Sequence, residues 1–256
     1  MKVVILCGGL GTRLGEETTL RPKPMVTIGN KPILTHIMQI FSHHNFNDFV
    51  FTLGYKGDVI KNYFMNYLSL TSDLRLDFST GSCEQLSKPD LKWKIELIET
   101  GQNTMTGGRL HRLEKLLRDT GTFMLTYGDG VADVDIHKLL AFHKSHGKIA
   151  TVTAVRPSAR FGTMEFSEGG FVSSFREKHQ TDEGWINGGF FVFEPQIFDF
   201  LEGDATVLEG SPLERLSEAK QLVGYKHEGF WQCMDTPRDR QYLEDLWKSG
   251  EAPWSF

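Results

Sequence analysis

Val3-Val4-Ile5-Leu6-Cys7-Gly8-Gly9-Leu10-Gly11-Thr12-Arg13-Leu14, with Arg21-Pro22-Lys23-Pro24-Met25 close behind it, is the stretch on which the fold turns. An aliphatic run ending in glycines predicts a buried strand, Val3 to Cys7, that gives way at once to a loop. Glycines in that position let the backbone approach a bulky anion, and their amide hydrogens can surround phosphate oxygens with no Cβ in the way. Arg13 and Lys23 bring fixed positive charge to the same mouth. Spacing excludes two other phosphate loops. A Walker loop needs Lys and Ser or Thr directly after the last glycine, where Thr12-Arg13 stand, and a GxGxxG fingerprint counted from Gly9 meets Leu14 in place of its third glycine.

Outward from this loop, the first half alternates short apolar runs with amphipathic segments, the pattern of strands crossing over through helices into a mainly parallel sheet. Pro32 opens a helix with Ile33, Ile37, Ile40 and Phe41 at helical spacing, Asp48 to Leu53 reads as a strand, and a helix runs from about Val59 to Leu68. Leu74 to Phe78 and Trp93 to Ile98 read as strands flanking a polar loop, Gly81 to Lys92. Arg109 to Arg118 is helical in pattern, Phe123 to Thr126 is a strand running into Tyr127-Gly128-Asp129-Gly130, and Ile136 to Lys144 is helical again. After Ile149 the texture changes. Ala150 to Val155, Met164 to Phe166, Phe171 to Phe175 and Trp185 to Phe193 predict antiparallel elements added to the parallel sheet. Ser211, Pro212 and Glu214 form a capping-box pattern, and Thr236-Pro237 opens a last helix over Arg238 to Lys248. The expected fold class is α/β: a Rossmann-like, mainly parallel (mixed) sheet flanked by helices, in a single domain spanning 1–256.

Composition narrows the partners. With 28 Lys and Arg against 33 Asp and Glu, the net charge of -5 gives no electrostatic reason to expect nucleic acid. Cys7, Cys83 and Cys233 are few, odd in number and scattered, which suits a reducing, cytoplasmic setting and fits neither a disulfide framework nor a zinc site. No apolar stretch approaches membrane-spanning length, and the short run before Gly8 lacks the length of a signal peptide. The nine histidines show no metal-ligand spacing such as HExxH.

The combination of strand, Gly8-Gly9-Leu10-Gly11-Thr12-Arg13, Lys23-Pro24-Met25 and Lys31-Pro32-Ile33 resembles the signature of the sugar-1-phosphate nucleotidyltransferases. Thr104-Met105-Thr106-Gly107-Gly108-Arg109, Tyr127-Gly128-Asp129-Gly130, Ile186-Asn187-Gly188-Gly189 and Trp231-Gln232-Cys233-Met234-Asp235-Thr236 are similar to its glucose-1-phosphate cytidylyltransferase branch, and the likeness runs from Met1 to Trp254. The resemblance implies a glycosyltransferase-A-like fold, with a nucleotide-binding part over about 1–148 and a β-rich sugar-phosphate-binding part with the C-terminal helices over about 149–256. It also implies CTP and glucose 1-phosphate as substrates, CDP-glucose and pyrophosphate as products, and a place early in making bacterial surface polysaccharide such as O-antigen. A symmetric homo-oligomer, a hexamer among the open forms, is implied as well.

Residue by residue, the resemblance makes Leu6, Gly8, Gly9, Leu10, Gly11, Thr12 and Gly128 nucleotide contacts, with Arg13 on the leaving pyrophosphate and Lys23 on the phosphates as the catalytic cations. It places the base against Thr106, Gly107 and Arg109, and the sugar phosphate against Glu177, Lys178, Asn187 and Gly188. Magnesium falls to Asp129 and Asp235. On composition alone Gly128-Asp129-Gly130 is an ordinary turn and Asp235 an acidic neighbour of a helix start, so the metal role rests on the likeness. Asp133 and Asp135 read as turn and helix-cap residues. His179 follows Glu177-Lys178 where relatives carry proline. Phosphate is already a competent nucleophile, so no general base is required. A thymidylyl- or uridylyltransferase, or a sugar-nucleotide sensor without catalysis, remain alternatives.

Overall fold

The alternation of strand and helix is realised as one mixed sheet in the computed structural model, which describes residues 1–9, 11, 14–87, 90–157, 163–176 and 184–256. Its strands are β1 (Lys2–Leu6), β2 (Asp48–Leu53), β3 (Lys94–Glu99), β4 (Phe123–Tyr127), β5 (Ala150–Val155), β6 (Ile186–Asn187), β7 (Phe191–Phe193) and β8 (Leu222–His227). The longer helices are α1 (Ile33–His43), α2 (Gly57–Met65), α3 (Thr106–His111), α4 (Ile136–His146), α5 (Ser211–Glu218) and α6 (Pro237–Ser249). β1 lies between β2 and β4, parallel to both, and β3 extends the sheet parallel to β2. β7 runs antiparallel between β4 and β5, β6 continues along β5, and β8 closes the far edge parallel to β5. The antiparallel segment therefore sits inside the sheet rather than at its edge.

Successive side chains of a strand point to opposite faces, and here both faces are covered. Val3 and Ile5 join Phe49, Phe51 and the apolar stripe of α1 on one side. Val4 and Leu6 join Val50, Leu125, Phe191 and Leu110 on the other. The first face is completed from the far end of the chain by Leu243 and the fully buried Trp254. Trp254 donates its indole N–H to Nδ1 of His36 (3.3 Å), so the other ring nitrogen, Nε2, carries the hydrogen that Ile28 O accepts (3.0 Å). His36 is thus a neutral imidazole with both nitrogens used, and burial lowers its pKa to about 4.

At the end of the sheet where β1 and β2 begin, polar groups satisfy one another. Lys2 Nζ pairs with Asp48 (3.3 Å) and Glu96 (2.5 Å). The buried His143 shares its ring nitrogens between Thr151 Oγ1 (2.8 Å) and Glu194 Oε1 (3.2 Å), and Thr122 donates to the same Glu194 oxygen (2.7 Å).

Four local expectations are amended. The Gly81 to Lys92 segment contains a strand, Ser82–Gln85, paired with Leu74–Asp77, and its mostly exposed residues left no alternation to read. The helix expected to reach Leu68 stops at Met65 and restarts as Tyr67–Thr71. Thr163–Phe166 and Val172–Arg176 pair with each other in a separate ribbon instead of joining the main sheet. α5 begins at Ser211 itself with Gly210 as N-cap and no side-chain cap, whereas a full capping box forms at Thr236 and Asp239 of α6. Among the described residues, no helix is long and apolar enough to cross a membrane.

Candidate active site

A cleft of about 1800 Å3 opens at the end of the sheet where β1, β2, β4 and β5 finish, the position at which open α/β sheets bind ligands. Gly8, Gly9 and Gly11 follow β1 into it, while Leu10, Thr12 and Arg13 lie outside the described residues. A side chain on Gly9 would meet nothing within 4 Å, so this backbone faces open space. Gly8 is held differently. A Cβ there, or at Gly54 after β2, would collide with the guanidinium of Arg109, which fills the notch between the two turns.

Arg109, on α3, is only 4% exposed. Its Nη1 donates to Leu53 O (3.1 Å), Thr100 Oγ1 (2.8 Å) and Gly101 O (2.7 Å), and its Nη2 to Gly8 O (2.9 Å) and Gln102 O (3.3 Å). A buried planar fork with these acceptors is a brace. It ties the glycine loop to the 100–102 turn, and in this geometry those donors serve four backbone carbonyls and the Thr100 hydroxyl.

Across the loop, Lys23 joins the two expected metal ligands. Its ammonium donates to Asp129 Oδ2 (2.6 Å) and to Asp235 Oδ1. These aspartates are distant in sequence but adjacent in space, because Gly130–Ala132 and Trp231–Cys233 pair as an antiparallel ribbon and Met234 N donates to Asp129 O (2.8 Å). Support of the α6 terminus falls to Thr236 and Asp239, whose side chains exchange the capping bonds, so the Asp235 carboxylate is turned to Lys23 instead. Burial would lower the Lys23 pKa, but Asp129 and Asp235 outweigh it and hold the ammonium above its ordinary value. Gly128 fits beneath this group: a Cβ there would press on Pro24 and on Leu6 O, and its N–H donates to Leu6 O (3.1 Å).

Asp135 caps α4 through Lys138 N (3.0 Å), as expected, and Asp133 lies 2.9 Å from His227 Nε2, away from Lys23. Burial, then Asp235 and Asp129, push the Cys233 thiol up to about 12, and burial raises Cys7 as well, so neither is a nucleophile at neutral pH.

On the cleft's other wall are Asn187 and Gly188, at the end of β6, with Thr106 at the start of α3; Gly107, expected beside the base, is buried behind it against Thr206 and Leu208. Trp231 Nε1 donates to Gly188 O (2.8 Å), fixing that turn. Glu177, Lys178 and His179 lie outside the described residues. Two residues that motif reasoning passed over also line this wall, Tyr127 and Glu209, joined by a 2.5 Å hydrogen bond. Tyr127 could have been found from its place beside Gly128-Asp129. Glu209 had no signal, being one acid in a polar turn.

The family model described as nucleotidyl transferase matches residues 2–234 of the chain. A glucose-1-phosphate cytidylyltransferase of Salmonella typhi is 50% identical over 254 residues, 99% of this chain and 98% of that protein. A probable glucose-1-phosphate cytidylyltransferase of Bacillus subtilis (strain 168) is 44% identical over 255 residues, 99% of each. Among solved structures, HddC from Yersinia pseudotuberculosis superposes with a TM-score of 0.68 at 22% identity, covering 96% of this chain and 99% of that one. Apo UDP-glucose pyrophosphorylase gives 0.69 at 14% identity, covering 97% and 98%. These two structures share the fold.

Proposed function

The chain belongs to the nucleotidyl transferase family, and from that premise we propose that it joins glucose 1-phosphate to CTP, forming CDP-glucose and pyrophosphate. The observation that carries this is the convergence of Lys23, Asp129 and Asp235 at the mouth of a glycine loop, in a chain half identical over its length to a glucose-1-phosphate cytidylyltransferase.

The chemistry asks two anions to meet. An oxygen of the sugar phosphate attacks the α-phosphorus of CTP, a new P–O bond forms, the bond to the bridging oxygen breaks in line, and pyrophosphate departs with that electron pair. The phosphate nucleophile is already ionised, so no side chain has to take a proton. The chain's task is to neutralise charge and hold geometry. We assign the triphosphate to the backbone of the loop, with Leu6, Gly8, Gly9, Leu10, Gly11 and Thr12, and to Gly128. Arg13 is assigned to the leaving pyrophosphate, and Lys23 supplies a compact charge to the phosphates. Thr106 borders the base, Gly107 lets its turn seat closely on the 206–208 backbone, and Arg109 contributes by fixing the carbonyls around it. Glu177, Lys178, Asn187 and Gly188 take the sugar phosphate. This divides the domain into a nucleotide side, about 1–148, and a sugar side, about 149–256.

Asp129 and Asp235 already flank one cation, the Lys23 ammonium, and their hard oxygens are the donors that magnesium accepts, so we assign them as its ligands. When bound, the metal supplies charge neutralisation and orientation of phosphate oxygens. We further place the protein in the cytoplasm, serving surface-polysaccharide synthesis, and assembled with copies of itself. Leu70, Leu76 and Phe78 are exposed around the 74–85 hairpin, an apolar surface of the kind that self-association covers.

The test is pyrophosphate release with magnesium and glucose 1-phosphate, offering CTP, dTTP, UTP, ATP and GTP separately and weighing the product by mass. A strong preference for CTP is expected. Preference for dTTP or UTP would keep the mechanism and replace the base; tight binding without release for every pair would make the chain a sensor.

A further inference from the structure

Glu209 stands in the turn before α5, exposed, where its sequence neighbours mark nothing. Its carboxylate nevertheless receives two hydroxyl groups from separate elements of the cleft wall, the end of β4 and the start of α3. Tyr127 donates to Oε1 (2.5 Å) and Thr106 donates to Oε2 (2.6 Å). An ionised carboxylate only accepts, so both hydroxyl hydrogens are committed to it and their directions are fixed.

The consequence passes along each arm. The Tyr127 oxygen, its hydrogen spent, is left as an acceptor and takes Asn187 Nδ2 (3.0 Å). The same amide's Oδ1 accepts from Gly189 N (2.8 Å). Asn187 therefore has its oxygen turned to backbone and one amide hydrogen used. Its second amide hydrogen is what remains for a ligand in the cleft. On the other arm, Thr106 Oγ1 accepts from Leu208 N (2.9 Å) while donating to Glu209. The turn that carries Glu209 is itself seated on α3: Met105 N donates to Asp204 O (2.8 Å) and Gly108 N to Thr206 O (3.0 Å). Gly107 and Gly108 allow this approach, because a Cβ on either would run into the 204–206 backbone.

We propose that Glu209 is a positioning residue that decides which hydrogen-bonding face the sugar side of the cleft presents. Through Tyr127 it holds the Asn187 amide as a donor, to be met by a hexose hydroxyl oxygen, and through Thr106 it anchors that arrangement to the nucleotide side. The assignment rests on the placing of the sugar at Asn187 above.

Glu209→Gln tests this, since it preserves shape but lets the new amide donate to Tyr127, freeing the phenol hydrogen for Asn187 Oδ1 and the Asn187 side chain to turn over. KM for glucose 1-phosphate should rise about 10-fold, with KM for CTP within about twofold, the size expected for one misdirected hydrogen bond. Tyr127→Phe, which keeps Glu209 and breaks the relay, should do the same, and the double variant should be no worse than the worse single one. Nitrogen-15 spectra should show the Asn187 side-chain amide exchanging its hydrogens about 10-fold faster in both variants. If Glu209→Gln is poorly folded by its melting midpoint, Tyr127→Phe carries the test. Unchanged KM values and an unchanged Asn187 signal in a folded variant overturn the proposal. Should the wild-type chain make no sugar nucleotide from any pair, the reaction assigned above falls, and the Asn187 exchange rate alone decides for or against Glu209.

Discussion

The two ends of the sheet spend their polar groups in opposite ways. At the end where β1 begins, Lys2 is matched by Asp48 and Glu96, and His143 by Thr151 and Glu194, so partners are found within the fold. At the end where β1 finishes, Gly9 faces open space, and Asp129 and Asp235 are gathered on one lysine although an isolated pair of carboxylates would repel. At the closed end these groups satisfy one another. The open end holds charge in an arrangement that is useful only to a ligand of matching charge, and it depends on a separate set of braces, Arg109 above all, to do so.

The largest expected effect is at the open end. Either Asp129→Asn or Asp235→Asn should lower kcat about 1000-fold, the scale of losing one preorganised electrostatic contact at a transferring phosphoryl group, with little change in the melting midpoint. A steady-state assay beside calorimetry checks this, and a variant that melts early instead would erase the distinction between the two ends.

Second, acid should weaken the protein through histidines remote from the cleft. His36, at about 4, and His143, also lowered by burial, are neutral when folded, but take a proton in the unfolded chain near their ordinary 6.5. The unfolded state binds more protons below 6.5, so stability is whole above that pH and declines as pH falls toward 4, by roughly 3 kcal/mol for His36. Urea midpoints measured across that range in the wild type and His36→Gln should diverge, with the variant flatter; parallel slopes would contradict the assignment.

Third, Arg109→Lys should cost about 2 kcal/mol of stability, since an ammonium cannot reach the five acceptors of a planar fork, and should raise KM for CTP at the same time. Stability and binding falling together would mark Arg109 as a brace of the open end. Loss of binding alone would make it a direct contact. Smallest, Glu194→Gln at the closed end should cost about 1 kcal/mol and leave kcat within about twofold; a larger loss of kcat would mean the two ends are coupled.

How much of this was legible follows the same division. β1, β2, β4 and α1 could be read because each carries a long apolar run or stripe, and a mainly parallel α/β sheet followed from their order, its glycosyltransferase-A-like form coming from the family likeness. Asp129 and Asp235 could be named from motif and set at one ion by likeness, but the pairing of Gly130–Ala132 with Trp231–Cys233 that brings them together, two short segments about a hundred residues apart, could not be read. Arg109 was legible as important, but not how it is held: sequence cannot tell that backbone carbonyls of three separate turns converge on it. Glu209 was invisible, since its role comes from which hydroxyls arrive beside it. The 74–85 hairpin was missed because its exposed strands bury no face whose period could be seen.

Trp254 carries a consequence for synthesis in the cell. It covers His36, yet it leaves the ribosome more than two hundred residues later. At about 5–20 residues per second, the first strand and helix wait on the order of 10–40 seconds for the side chain that seals them. A newborn chain therefore passes through a long interval with an unfinished apolar face, in which a chaperone, rather than its own tail, is the available cover.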